Sequence, residues 1–224
     1  MNRTPQLRGA IVAVAPAILL AAILYHPYIA NLTDKAAVGA ALDADHTRWG
    51  FSHLAVGLAS GLLVLAFLAI RSYLREAGEE RWSARGVPFI VMGSTLFALL
   101  PAMEMGSMSG IQAGADPRAV QVELTTWFTP VLVVGALIFW IGTLFFAIAI
   151  VRSRVLSPSW AWLTAVGLVV MATTRFAPLG VALYVGALAG VVAFWTLAYE
   201  MYRSPGLAPH AQQQAPADVR RGLA

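Results

Sequence analysis

Apolar residues run through this chain in blocks. Six stretches carry no Asp, Glu, Lys or Arg: 9–33, 49–70, 86–103, 124–151, 155–174 and 176–199. They are 25, 22, 18, 28, 20 and 24 residues long. A helix rising 1.5 Å per residue needs about 20 apolar residues to cross ~30 Å of hydrocarbon. The blocks do not alternate apolar with polar positions as barrel strands do. Without water in a bilayer core, continuous helices satisfy the backbone. The pattern predicts an all-α membrane protein with one domain over 1–203, a bundle of six transmembrane helices. The spans fall at about 9–26, 50–70, 88–104, 130–151, 159–175 and 179–201.

Between the blocks, capping residues and prolines mark the boundaries. Pro16 is expected to kink the first helix and Pro27 to close it. Thr33 and Asp34 open a short outer-loop helix through Ala41. Arg71 to Arg85 reads as a solvated extension or turn. Pro88 suits a first helical turn, and Pro101 and Glu104 stand at the outer end of that helix. Asp116-Pro117 then starts an interfacial helix over 118–128, with Val120, Leu124 and Trp127 on one face. Thr129-Pro130 restarts the chain as the fourth span. Residues 177–180 turn the last hairpin, and the Pro-, Ala- and Gln-rich stretch 204–224 reads as a disordered cytoplasmic tail.

Charge supplies orientation. With the N-terminus inside, the inner segments hold Arg3, Arg8, Arg71, Arg75, Arg81, Arg85, Arg152, Arg154, Arg203, Arg220 and Arg221. The outer segments hold Lys35, Arg48, Arg118 and Arg175. This bias over short loops puts both termini in the cytoplasm. The first apolar run exceeds a signal-peptide core and shows no small-x-small cleavage site, so it reads as a retained span. A single lysine among fourteen arginines fits a GC-rich bacterial genome and hence a bacterial inner membrane.

Composition narrows the chemistry. At 59% hydrophobic, the chain exceeds the roughly 45–50% of a soluble domain. The 224 residues leave room for six spans and short connections, without a soluble catalytic domain. Cysteine is absent, which excludes disulfides, thiolate metal sites and cysteine nucleophiles. No arginine groove with interleaved aromatics suggests nucleic acid. There is no phosphate-cradling glycine loop, no Gly-x-Ser-x-Gly elbow and no His-Glu-x-x-His helix. No catalytic residue is assigned and an enzyme is the least supported class. No cofactor is implied, and haem is not favoured.

The polar outliers collect at one depth. His26 ends the first span, His53 begins the second, Glu104 ends the third and Arg175 ends the fifth, all near the outer boundary. Ionisable groups at membrane depth are default site candidates. His53 lies one turn before Gly57, so it should face another helix. A histidine beside a carboxylate suits proton or metal chemistry. Met103, Met105 and Met108 around Glu104 add soft donors, although methionine also fills gaps freely. His46 lies two turns from His53, about 10.5 Å, too far to share one ion. Plainer roles stand beside these: interfacial hydrogen bonding for the histidines and snorkelling for Arg175.

Gly57-x-x-x-Gly61 and Gly186-x-x-x-Gly190 permit close helix approach, with intramolecular packing preferred over an oligomer contact. Three readings follow. One is a membrane protein binding a small ligand, proton or metal at an outward pocket of His26, His53, Glu104 and Arg175, in transport or sensing. The second is a structural or accessory subunit docking a partner membrane subunit or a second copy through its glycine faces. The third, a membrane-embedded enzyme, lacks a nucleophile–base pair or a multi-histidine set.

Overall fold

The computed structural model describes residues 4–203; the 204–224 tail lies outside the described residues. Seven α-helices follow in order: α1 (Thr4–Tyr25), α2 (Lys35–Ala44), α3 (His46–Glu76), α4 (Arg81–Gln112), α5 (Pro117–Ser153), α6 (Pro158–Thr173) and α7 (Gly180–Arg203). A 3₁₀ turn, Thr174–Phe176, extends α6. Among the described residues there is no strand beyond a single bridge between Asn31 and Leu179. Five helices, α1, α3, α4, α5 and α7, are long and apolar enough to cross a membrane. This is the architecture of a helical membrane protein.

Aspartates start three of the elements. Asp34 accepts from the N–H groups of Ala36 and Ala37, Asp45 from that of Arg48, and Asp116 from that of Ala119, each satisfying donors the first turn leaves free. Glycines stop two helices. Gly78 (φ 85°) and Gly114 (φ 94°) take the left-handed conformation just past α3 and α4. The next N–H in each case reaches back to a carbonyl inside the helix, Glu79 to Leu74 and Ala115 to Gly110, closing the last turn.

Two expectations need correction. Pro117 opens α5 as expected, but Pro88, Pro101 and Pro130 do not mark helix ends. Pro88 and Pro101 lie inside α4, and Pro130 lies inside α5, so the stretch 118–128 is the outer part of one 37-residue helix and not a separate interfacial element. Proline removes one hydrogen bond, but packed neighbours hold a membrane helix through the gap. Here α4 and α5 pack along each other and α2 lies against the outer part of α5.

The six long helices close a ring in chain order. α1 packs on α3 and α7, α3 on α4, α4 on α5, α5 on α6, and α6 on α7. Phe67 of α3 fills the middle, its ring 4.8 Å from Phe146, 5.2 Å from Phe194 and 6.0 Å from Phe139. These edge-to-face contacts tie three walls of the ring together. At the end opposite the α3–α4 turn a second core of Ile29, Val38, Leu42, Trp49 and Ile111 seats α2 as a lid. The loops at that end interlock: Leu32 N–H donates to Pro178 O at 2.9 Å and Gly180 N–H to Ala30 O at 3.1 Å. A Cβ on Gly180 would stand 2.0 Å from Ile29 O, so no larger residue fits.

The closest helix approach uses glycines outside the expected motifs. A Cβ on Gly93 would fall 2.6 Å from Phe139 N, and one on Gly142 2.8 Å from Ile90 N. Gly86 and Gly135 flank the same α4–α5 seam, against Phe146 and Leu96. On α7, Gly186 lies against Thr174 and Gly190 against Met171. Gly57 and Gly61 differ: a Cβ on either would meet nothing within 4 Å, so the preferred intramolecular packing is not made there.

Candidate functional site

The polar residues singled out in the sequence fall into three separate groups. The first sits where the end of α1 meets the start of α3. The His26 and His53 ring centres are 5.2 Å apart, and Trp49 lies 4.9 Å from one and 4.6 Å from the other. His53 comes one turn after Trp49, so the indole and imidazole stack on one face of α3.

Hydrogen bonds fix both imidazoles. His26 Nδ1 lies 2.7 Å from Pro27 O, and His53 Nδ1 lies 2.8 Å from Trp49 O. A carbonyl only accepts, so each Nδ1 carries the proton. The neutral rings then present Nε2 as a lone pair, the arrangement that orients a ligating histidine. Arg48 braces the group from the side. Its Nε donates to Tyr25 O at 2.5 Å and its Nη2 to His26 O at 3.4 Å, which satisfies carbonyls at the C-terminus of α1.

The second group is internal to α4 and α5. Glu104 Oε2 accepts from Gln121 Nε2 at 3.0 Å and from Ser107 Oγ at 3.2 Å. All three residues are buried. Among the described residues no hydrogen bond or ion pair joins Glu104 to either histidine or to Arg175. Glu104 faces α5, and that orientation removes it from the expected pocket.

The third group is Arg175. Its guanidinium carbon lies 4.0 Å from the Phe97 ring centre and 4.1 Å from that of Phe139. The side chain therefore turns inward between α4 and α5 and does not snorkel outward; the two phenyl faces hold the cation.

The remaining candidates do not converge on these groups. Met103 and Met105 lie about 200° apart around α4. Met108 packs against the outer core, its sulfur 3.7 Å from where a Cβ of Gly50 would stand. His46 approaches Asp43 at 3.8 Å. Among the described residues no three His, Asp or Glu side chains gather as a metal-binding group. A crevice of about 10 Å³ reaches His26, lined also by Tyr28, Ile29, Gly180 and Tyr184. That is room for roughly one water molecule.

Trp49 is the participant that the sequence reading left out of the site. Its signal was visible: an aromatic residue one turn before His53 at a helix start. No protein-family model matches the chain, and no curated protein or solved structure matches it.

Proposed function

We propose that this is a six-span protein of a bacterial inner membrane, with both termini cytoplasmic, whose outer end binds a transition-metal ion through His26 and His53. The observation that carries this reading is the pair of Nδ1–H groups tied to backbone carbonyls 2.7 and 2.8 Å away, which leaves two Nε2 lone pairs on neighbouring rings. The crevice beside His26 has room for about one water-sized group and none for a metabolite. Met108 adds a thioether beside Gly50, one turn before His53 on α3, and imidazole with thioether suits copper or zinc.

α6 with its 3₁₀ turn spans about 30 Å, enough for a sixth crossing. The arginine bias then directs the histidine end outward. The test is a titration of the purified full-length protein with Cu²⁺ and Zn²⁺. One equivalent is expected to bind, with loss on His26→Ala or His53→Ala and retention in His46→Ala. Unchanged binding in both single variants would sink the reading.

A second reading, a subunit that docks a second copy of this chain, is favoured by one observation. Phe51, Leu54, Leu58, Leu65 and Leu68 are exposed along α3 at heptad spacing, with Gly61 open among them. Because the chain has no cysteine, oxidative crosslinking of a Leu58→Cys variant in membranes tests this cleanly. A dimer band supports docking, and its absence under full oxidation removes it.

A further inference from the structure

The opposite end of the bundle holds a second site of different chemistry. An open cleft of about 280 Å³ lies between the α3–α4 turn and the end of α5, lined by Glu79, Glu80, Arg81, Trp82, Arg152 and Ser153. Both acidic residues are already engaged. Glu79 accepts from the N–H groups of Trp82 at 2.7 Å and Ser83 at 3.2 Å. Glu80 pairs with Arg71 at 3.6 Å.

Arg81 and Arg152 line the cleft, and Arg85 approaches the same indole. The guanidinium carbons of Arg81, Arg85 and Arg152 lie 5.5, 5.5 and 5.9 Å from the Trp82 ring. None forms an ion pair within 4.0 Å among the described residues. The indole gathers the cations, and with Glu79 and Glu80 bonded elsewhere a bound anion would relieve their mutual repulsion. Guanidinium forks match phosphate oxygens in two-point geometry.

We propose that this cleft binds the phosphate headgroup of an anionic phospholipid. The location selects the lipid over a soluble phosphate. Trp82 stacks on Phe145 with ring centres 6.0 Å apart, at the end of two apolar helices, where amphipathic rings mark headgroup depth. Basic pockets between helix ends at this depth suit anionic lipid. The site lies across the bundle from the histidine pair, so either proposal can fail alone.

The experiment measures phosphatidylglycerol and phosphatidylcholine retained by the full-length protein from mixed micelles, by native mass spectrometry. Phosphatidylglycerol is expected to be retained in preference. Affinity should fall about fivefold per arginine in Arg85→Gln or Arg152→Gln, and about a hundredfold in the Arg81→Gln/Arg85→Gln/Arg152→Gln variant. A control that removes equal charge elsewhere, Arg75→Gln/Arg118→Gln/Arg203→Gln, should stay within about twofold of the unmodified chain. The single variants keep the test valid if the triple variant fails to fold. Equal retention of both lipids, unchanged affinity in the single variants, an equal loss in the control, or displacement of the lipid by millimolar inorganic phosphate would each overturn the proposal.

Discussion

The two ends of the bundle are held by different kinds of polar contact. At the arginine-rich end, short connections join the helices and two ion pairs lie partly exposed, while Glu79 is buried and accepts from the N–H groups that open α4. Arg8 meets Glu76 at 2.5 Å with the side chains 26% and 44% exposed, and Arg71 meets Glu80 at 3.6 Å. At the other end the chain adds a lid helix and extends α4 and α5; Asp34, Asp43, Asp45, Asp116 and Glu123 stay exposed, but selected polar groups are drawn inside. Glu104, Ser107 and Gln121 are buried as a hydrogen-bonded set, and both histidines are tied to carbonyls. One end is therefore tied by partly exposed ion pairs and the other by a buried hydrogen-bonded set, beside which the buried Trp49 Nε1 makes no hydrogen bond.

This contrast makes graded predictions. The largest effect is expected from Gly39→Leu, because a Cβ at Gly39 already stands 2.8 Å from the Pro117 backbone. Forcing a larger side chain between α2 and α5 should cost about 3 kcal/mol, read as a lower unfolding midpoint in mild detergent. An unchanged midpoint would show that the lid is not seated on α5.

Gln121→Ala comes next. It strips the amide donor from the buried Glu104 carboxyl and should cost about 2 kcal/mol, while Glu104→Gln should cost less because its amide oxygen can still accept from Gln121. The reverse order would break the claim that bonded polar groups hold the outer end. The smallest effect belongs to the arginine-rich end. Arg8→Ala removes a partly exposed ion pair and should cost only ~0.5 kcal/mol, with salt erasing much of the difference. A loss as large as that of Gln121→Ala would erase the contrast between the ends.

Depth along the membrane axis was legible in the residues; direction around each helix was not. The apolar blocks located the long helices, and Asp34 and Asp116 marked helix starts the structure contains. Prolines misled at Pro88, Pro101 and Pro130, since local breaker chemistry carries less weight where neighbouring helices pack along the break. His26, His53, Glu104 and Arg175 all fall near span ends in the sequence, but a ring of helices sends them to different neighbours. α1 and α3 are adjacent, so the histidines meet, whereas Glu104 looks toward α5 and Arg175 toward Phe97 and Phe139. The same missing azimuth hid the α4–α5 seam. Gly86 and Gly93, like Gly135 and Gly142, repeat every seventh residue and not every fourth, so a search for Gly-x-x-x-Gly passes over them.

The central claim, that the two ends face different aqueous compartments with the histidine end outward, has one direct test. The cysteine-free chain accepts single cysteines at exposed positions on either end, Ala115→Cys beside the lid and Ser157→Cys at the arginine-rich end. A membrane-impermeant maleimide applied to intact cells should label the first and reach the second only after permeabilisation. Labelling of Ser157→Cys on intact cells, with Ala115→Cys protected, would contradict the account.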